Sequence, residues 1–141
     1  MTAGLIGEVL QRFGPKAVTT DPSEIEPWLT DWRGRFHGKS QAILSPGSTE
    51  EAAAIVRLAA EHSVPLVPQG GNTSMVGGAT PPEDGSALIL TLRRMNRLRS
   101  VAQGAAVAEA GMILADLHEA AAKSGQRFPL TLGARGSCTI G

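Results

Sequence analysis

The stretch Gly70 to Gly78, read Gly-Gly-Asn-Thr-Ser-Met-Val-Gly-Gly, constrains this chain more than any other. It holds four glycines and no charged side chain. Val64-Pro65-Leu66-Val67-Pro68 leads into it, and Ala87-Leu88-Ile89-Leu90 follows. A glycine loop between two strand-like segments lets the backbone come close to something, because glycine lacks Cβ and reaches positive φ at little steric cost. Successive N–H groups in such a loop make a concave anion nest. Asn72 tolerates the left-handed conformation, and the Thr73 and Ser74 hydroxyls add donors. The expected ligand is a pyrophosphate held by backbone dipoles. Composition alone leaves a mobile surface loop equally open.

The rest of the chain bounds the answer. Its 141 residues make one ordinary domain or two very small ones. Thirteen basic and thirteen acidic residues cancel, which argues against nucleic acid or an anionic membrane as a bulk electrostatic partner. The single Cys138 excludes an internal disulfide framework and fits a reducing compartment. No apolar run is long enough to span a bilayer, and the N-terminus lacks a charged-then-apolar signal pattern. The expected location is cytoplasmic. The last residues, Cys138-Thr139-Ile140-Gly141, read as a cut through structure.

Hydrophobic spacing sketches the elements. Leu5, Ile6, Val9, Leu10 and Phe13 recur at helical intervals, and Gly14-Pro15 ends that run. Asp21-Pro22-Ser23 offers an N-cap followed by proline. Trp28 and Trp32 stand four apart, as on one helix face. Residues 41–45 read as a strand, and Ser48 to Glu51 holds a capping box before a helix from Ala52 to about His62. Val64 to Pro68 and Ala87 to Leu92 read as strands around the glycine loop, and Val101 to Glu109 as strands turning at Gln103-Gly104. Met112 to Lys123 is a helix with Ile113, Leu114, Leu117 and Ala121 on one side. This alternation is α/β or α+β.

Several chemistries are excluded. The fingerprint Gly-x-Gly-x-x-Gly is absent around residue 70 and no helical pattern follows the loop, so a nicotinamide Rossmann unit does not fit. Ala79-Thr80 follows Gly78 where a triphosphatase loop needs Lys-Ser/Thr. His37, His62 and His118 lack metal-ligand spacing. His62 suits a helix C-terminus, and His118 reads as a solvated mid-helix residue. Arg93, Arg94, Arg97 and Arg99 form a cluster able to touch phosphate, but no aromatic residues interleave with it. Cys138 reads as a packed small residue.

Val67-Pro68-Gln69-Gly70-Gly71-Asn72-Thr73-Ser74-Met75-Val76-Gly77-Gly78 resembles the pyrophosphate loop of the FAD-linked oxidases with a vanillyl-alcohol-oxidase-type, or PCMH-type, flavin domain. Phe128 to Gly141 resembles the second flavin-contacting segment of that family. Leu92 to Arg97, Glu109-Ala110-Gly111, Asp31-Trp32 through Gly38, Ile43 to Pro46 and Ser48 to Glu51 agree as well. The wording is nearest to the D-2-hydroxy acid dehydrogenases acting on D-2-hydroxyglutarate, D-lactate or glycolate. It departs from their commonest form at Ser74, Thr131 and Thr139.

The resemblance implies an α+β fold of α/β-type subdomains around FAD. A helical segment at 1–38 precedes a complete first subdomain at 39–95, and a second begins at 96 and is truncated at 141. The implied cofactor contacts are Pro68, Gln69, Gly70, Gly71, Asn72, Thr73, Ser74, Met75, Gly77 and Gly78 from the loop. Pro129, Leu132, Gly133, Gly136, Ser137, Ile140 and Gly141 come from the second segment. No catalytic residue and no metal ligand is assigned. The implied partners are a small 2-hydroxy acid, whose site lies in a later domain, and a separate electron acceptor. The alternatives are another branch of the family, an aldonolactone or alcohol oxidase, or an inactive fragment that self-associates without FAD. Gly71→Val is expected to abolish FAD binding with little loss of folding.

Overall fold

The computed structural model describes all 141 residues. Helix α1 (Thr2–Phe13) ends at Gly14, whose φ of 79° breaks the helical path. A short 3-10 turn leads into strand β1 (Val18–Thr19), and Asp21 then caps the one-turn helix α2 (Pro22–Ile25) by accepting from the Ser23 N–H. After β2 (Ile43–Leu44), Ser48 caps α3 (Thr49–Glu61) through the Glu51 N–H at 3.1 Å. The Glu51 carboxylate reaches back one residue further than a capping box requires and accepts from the Gly47 N–H at 2.7 Å. Strands β3 (Leu66–Gln69) and β4 (Leu88–Thr91) flank the glycine loop.

These four strands form one sheet in the order β1-β2-β4-β3. Strand β4 pairs in parallel with both β2 and β3, and β1 adds antiparallel to β2 at the edge. All four residues of β4 are buried, as a central strand covered on both faces requires. Leu44, Leu88 and Leu90 meet Ile55, Leu58 and Ala59 of α3 and Leu5 and Val9 of α1 in one apolar core. A smaller group, Ile25, Leu29, Ile43 and Ile89, covers the sheet's other face. Residues 1–38 are thus more than helical: they supply an edge strand and part of the core, a role no periodicity announced.

The remaining elements are lighter. Strands β5 (Leu98–Ala102) and β6 (Ala105–Ala108) form an antiparallel hairpin. Its turn residues Gln103 and Gly104 both take positive φ, 52° and 76°, the twist that suits a two-residue hairpin. Helix α4 (Leu114–Lys123) follows, with Leu114, Leu117 and Ala121 buried.

Three sequence expectations need correction. Trp28 and Trp32 do not share a helix face, because the chain leaves its 3-10 turn at Trp28 and Trp32 lies 62% exposed in the following turn. His118 is not free in solvent: its Nε2 donates to the Leu130 carbonyl at 2.7 Å, tying α4 to the second glycine stretch. Three of the four clustered arginines are spent on the protein itself. Arg94 donates to the Lys16 and Ser45 carbonyls, and Arg97 and Arg99 both reach Glu109. His62 does cap α3, and its Nε2 meets Glu8 of α1 at 2.9 Å.

Candidate flavin site

The site begins at Gln69, the last residue of β3. Its buried amide donates to the Trp28 and Ala79 carbonyls at 2.9 and 2.8 Å, so it pins both ends of the loop. Beyond it, no backbone N–H from Gly71 to Gly78 donates a hydrogen bond within the protein. Eight successive donors are therefore free for a ligand or water. Asn72 takes φ 54° and Gly77 φ 77°, so the chain turns sharply near both ends of the loop.

The Asn72 side chain serves the loop's own shape. Its Nδ2 donates to the Thr30 carbonyl at 2.8 Å, and its Oδ1 is buried without a partner. A cleft of about 280 Å³ lies along the loop, lined by Gly70, Gly71, Thr73, Ser74 and, from the second glycine stretch, Thr139 and Gly141. No charged side chain lines it. No acidic side chain therefore competes with an anion for its donors.

The two glycine stretches touch directly. A Cβ on Gly71 would sit 1.7 Å from the Ser137 carbonyl oxygen, and one on Gly70 would sit 2.1 Å from Thr139 Oγ1. Gly71 is required because the backbone at Ser137 crosses it, while Gly70 makes room for the Thr139 side chain. The expectation that Gly71→Val spares the fold is corrected here, since a larger side chain must push the second stretch away. That stretch is itself anchored. Cys138 and Arg135 carbonyls accept from the Leu114 and Ala115 N–H groups that open α4, and the Ile140 and Gly141 N–H groups donate to Met112 and Ala110. Cys138 is buried, as a packed residue should be.

Cavities open on either side of this crossing. One of about 550 Å³ is lined by Trp32, Thr73, Met75, Leu132, Gly133 and Ser137. Another of about 270 Å³ is lined by Trp28, Gly71, Arg93, Gly136, Ser137 and Thr139 among others. There Arg93 lies over the Trp28 ring at 3.7 Å, and burial pulls its pKa down from the ordinary value. Pro129 lies elsewhere, in a groove between the hairpin and α4 that Ile140 also lines. The structure thus gathers the loop with Leu132, Gly133, Gly136, Ser137 and Gly141, and sets Pro129 and Ile140 apart. Thr139, Trp32 and Arg93 border the site too, although none was among the implied cofactor contacts.

Two carboxylates hold the surroundings. Glu109, 4% exposed, accepts from the Arg97 side chain and N–H and from Arg99, and the Arg97 hydrogen bond lowers its pKa to about 2. Asp31, 3% exposed, accepts from the Phe36 and Arg35 N–H groups, which hold its carboxyl below the ordinary range.

Comparison with known proteins agrees with this geometry. Residues 40–141 match the family of FAD binding domains. Over 134 residues the chain is 42% identical to the mitochondrial D-2-hydroxyglutarate dehydrogenase of Bos taurus, covering 94% of this chain and 24% of that one. It is 35% identical over 125 residues to a putative mitochondrial D-lactate dehydrogenase of Schizosaccharomyces pombe, covering 87% and 23%. A solved alkyldihydroxyacetonephosphate synthase superposes on all of this chain and 28% of its own with a TM-score of 0.87 at 22% identity, a likeness of fold. The chain spans about a quarter of the length of the curated relatives it matches. The chain belongs to the FAD-binding-domain family, and its fold is that of the PCMH-type flavin oxidases. Its cofactor is FAD.

Proposed function

We propose that this chain is the nucleotide-holding part of a flavin dehydrogenase that oxidises a D-2-hydroxy acid to the 2-oxo acid. The observation that carries the reading is the run of unpaired N–H groups from Gly71 to Gly78 beside a cleft without charged side chains. Such a cradle neutralises a pyrophosphate with fixed dipoles and needs no lysine. The Thr73 and Ser74 hydroxyls add donors, while Gln69 and Asn72 act by shaping the loop. Met75, Gly77 and Gly78 continue it, and Pro68 directs the strand into it. Leu132, Gly133, Gly136, Ser137 and Gly141 form the facing wall, with Pro129 and Ile140 setting the path of that segment. Bound here, FAD supplies the hydride acceptor, and the protein's share is to bind and orient it.

The subdomain boundaries fit this reading, with residues 39–95 as one side of the cleft and 96–141 as the start of the other. The names of the relatives point to D-2-hydroxyglutarate or D-lactate as substrate, bound by residues outside this chain, with a separate electron acceptor. No helix is long and apolar enough to cross a membrane. The single free cysteine fits a reducing compartment such as the cytoplasm, and the Bos taurus relative is named mitochondrial.

The test is direct. The full-length protein is expected to purify yellow and to lose its visible flavin absorbance when D-2-hydroxyglutarate or D-lactate is added without oxygen. A colourless full-length protein that takes up no added FAD would overturn the cofactor site. A yellow protein bleached by neither acid would overturn the substrate class.

A further inference from the structure

The segment from Trp28 to Phe36 precedes the region that matches the flavin-domain family, yet it touches the pyrophosphate loop along its whole length. At the loop's base the Trp28 carbonyl accepts from Gln69. One turn on, the Thr30 carbonyl accepts from Asn72. At the tip, Trp32 Nε1 donates to Met75 Sδ at 2.9 Å. On the return limb, a Cβ on Gly77 would meet the Phe36 ring at 3.0 Å. The segment is itself stiffened. Asp31 accepts from two N–H groups, Thr30 bridges to His37, and the Gly38 N–H donates to the Leu29 carbonyl at 2.8 Å.

We infer that residues Trp28 to Phe36 are a clamp that holds the glycine loop in its FAD-accepting shape, with Trp32 on Met75 as the clasp. The physical need is clear. A loop whose eight N–H groups are all unpaired gains nothing from its own backbone hydrogen bonds, and its glycines leave many conformations open. Something outside the loop must select the one that presents the donors together. The three side chains that fix the loop, Gln69, Asn72 and Met75, all reach this one segment. Trp32 is otherwise 62% exposed, so its place against Met75 is not dictated by burial in a core. Trp32 is accordingly a positioning residue, acting through Met75 and not through contact with the reacting atoms.

This inference rests on the proposed FAD site, and its test separates the two. In the full-length protein, Trp32→Ala should leave far-UV circular dichroism and Tm nearly unchanged and shift the methyl resonance of carbon-13-labelled Met75, without any ligand. FAD affinity should fall about tenfold, the effect of reducing the competent loop population to about a tenth. Because Trp32 acts through Met75, the double variant Trp32→Ala/Met75→Ala should bind FAD no more weakly than Met75→Ala alone. Unchanged FAD affinity in Trp32→Ala, or additive losses in the double variant, would overturn the clamp. If the unsubstituted protein binds no FAD while the Met75 resonance still responds to Trp32→Ala, the contact stands and the FAD reading, with the clamp's purpose, falls.

Discussion

The chain's two glycine stretches look alike in sequence and behave differently in structure. The first, at residues 70–78, hangs from a four-stranded sheet whose core includes Leu5, Leu44, Ile55 and Leu88, all fully buried. The second, within 128–141, is carried by a two-stranded hairpin and one helix. That hairpin has Val107 half exposed, and no comparable core lies beneath it. The first stretch keeps its N–H groups free. The second spends those of Ser137, Cys138, Ile140 and Gly141 on anchoring itself. A loop on a rigid sheet can leave donors open for a ligand, whereas a loop on a light scaffold must use them to stay in place.

The largest effect should break the contact between them. Gly71→Val forces the Ser137 carbonyl aside and is expected to abolish FAD binding and lower Tm, read by flavin absorbance and thermal melting. Gly78→Ala, whose added carbon meets no protein atom within 4 Å, should weaken FAD binding far less than Gly71→Val and leave Tm unchanged. Equal losses in both variants would mean that loop flexibility, and not the crossing, is what counts.

Core truncations should sharpen the contrast in scaffold. Leu44→Ala is expected to destabilise by about 2–5 kcal/mol, and Val107→Ala by less than about 0.5 kcal/mol, both measured by urea unfolding. A large effect at Val107 would show that the hairpin is better covered than its exposure indicates.

The second region also depends on a buried charge. Glu109 is held at about 2, below its ordinary 4.5, so its ionised form favours the folded state. That contribution is complete above pH 4.5, shrinks as pH falls and is gone below about 2. The Tm difference between the parent and Glu109→Gln at pH 7 should therefore narrow steadily from pH 4.5 downward. A pH-independent difference would assign the effect to packing.

A modest effect, confined to stability, should come from the cap of α3. Ser48→Ala removes the acceptor for the Glu51 N–H and is expected to cost about 1 kcal/mol in urea unfolding, leaving FAD affinity unchanged.

The helices and the hairpin were legible in the sequence through local signals: helical spacing for α1, α3 and α4, the Ser48 cap, and the Gln103-Gly104 turn. Strand β1 was not legible, since two residues carry no periodicity and the pairing of Val18 with Leu44 is a long-range choice. The loop was legible as an anion nest from its glycines, and the family likeness supplied FAD. What its neighbours do was not. Gln69, Asn72 and Met75 read as ligand contacts because they sit in the motif, yet their side chains turn toward residues 28–32 and, at Gln69, the Ala79 carbonyl.

By itself the sequence determined which backbone could come close to a ligand, because the absence of a side chain is a local property. Only the tertiary structure decided what else comes close. Gly70 and Gly71 are crossed by Thr139 and Ser137, and of the four clustered arginines three are engaged by Glu109 and by the Lys16 and Ser45 carbonyls while Arg93 lies beside the site. Close approach needs a partner from far along the chain, and chain folding alone chooses that partner.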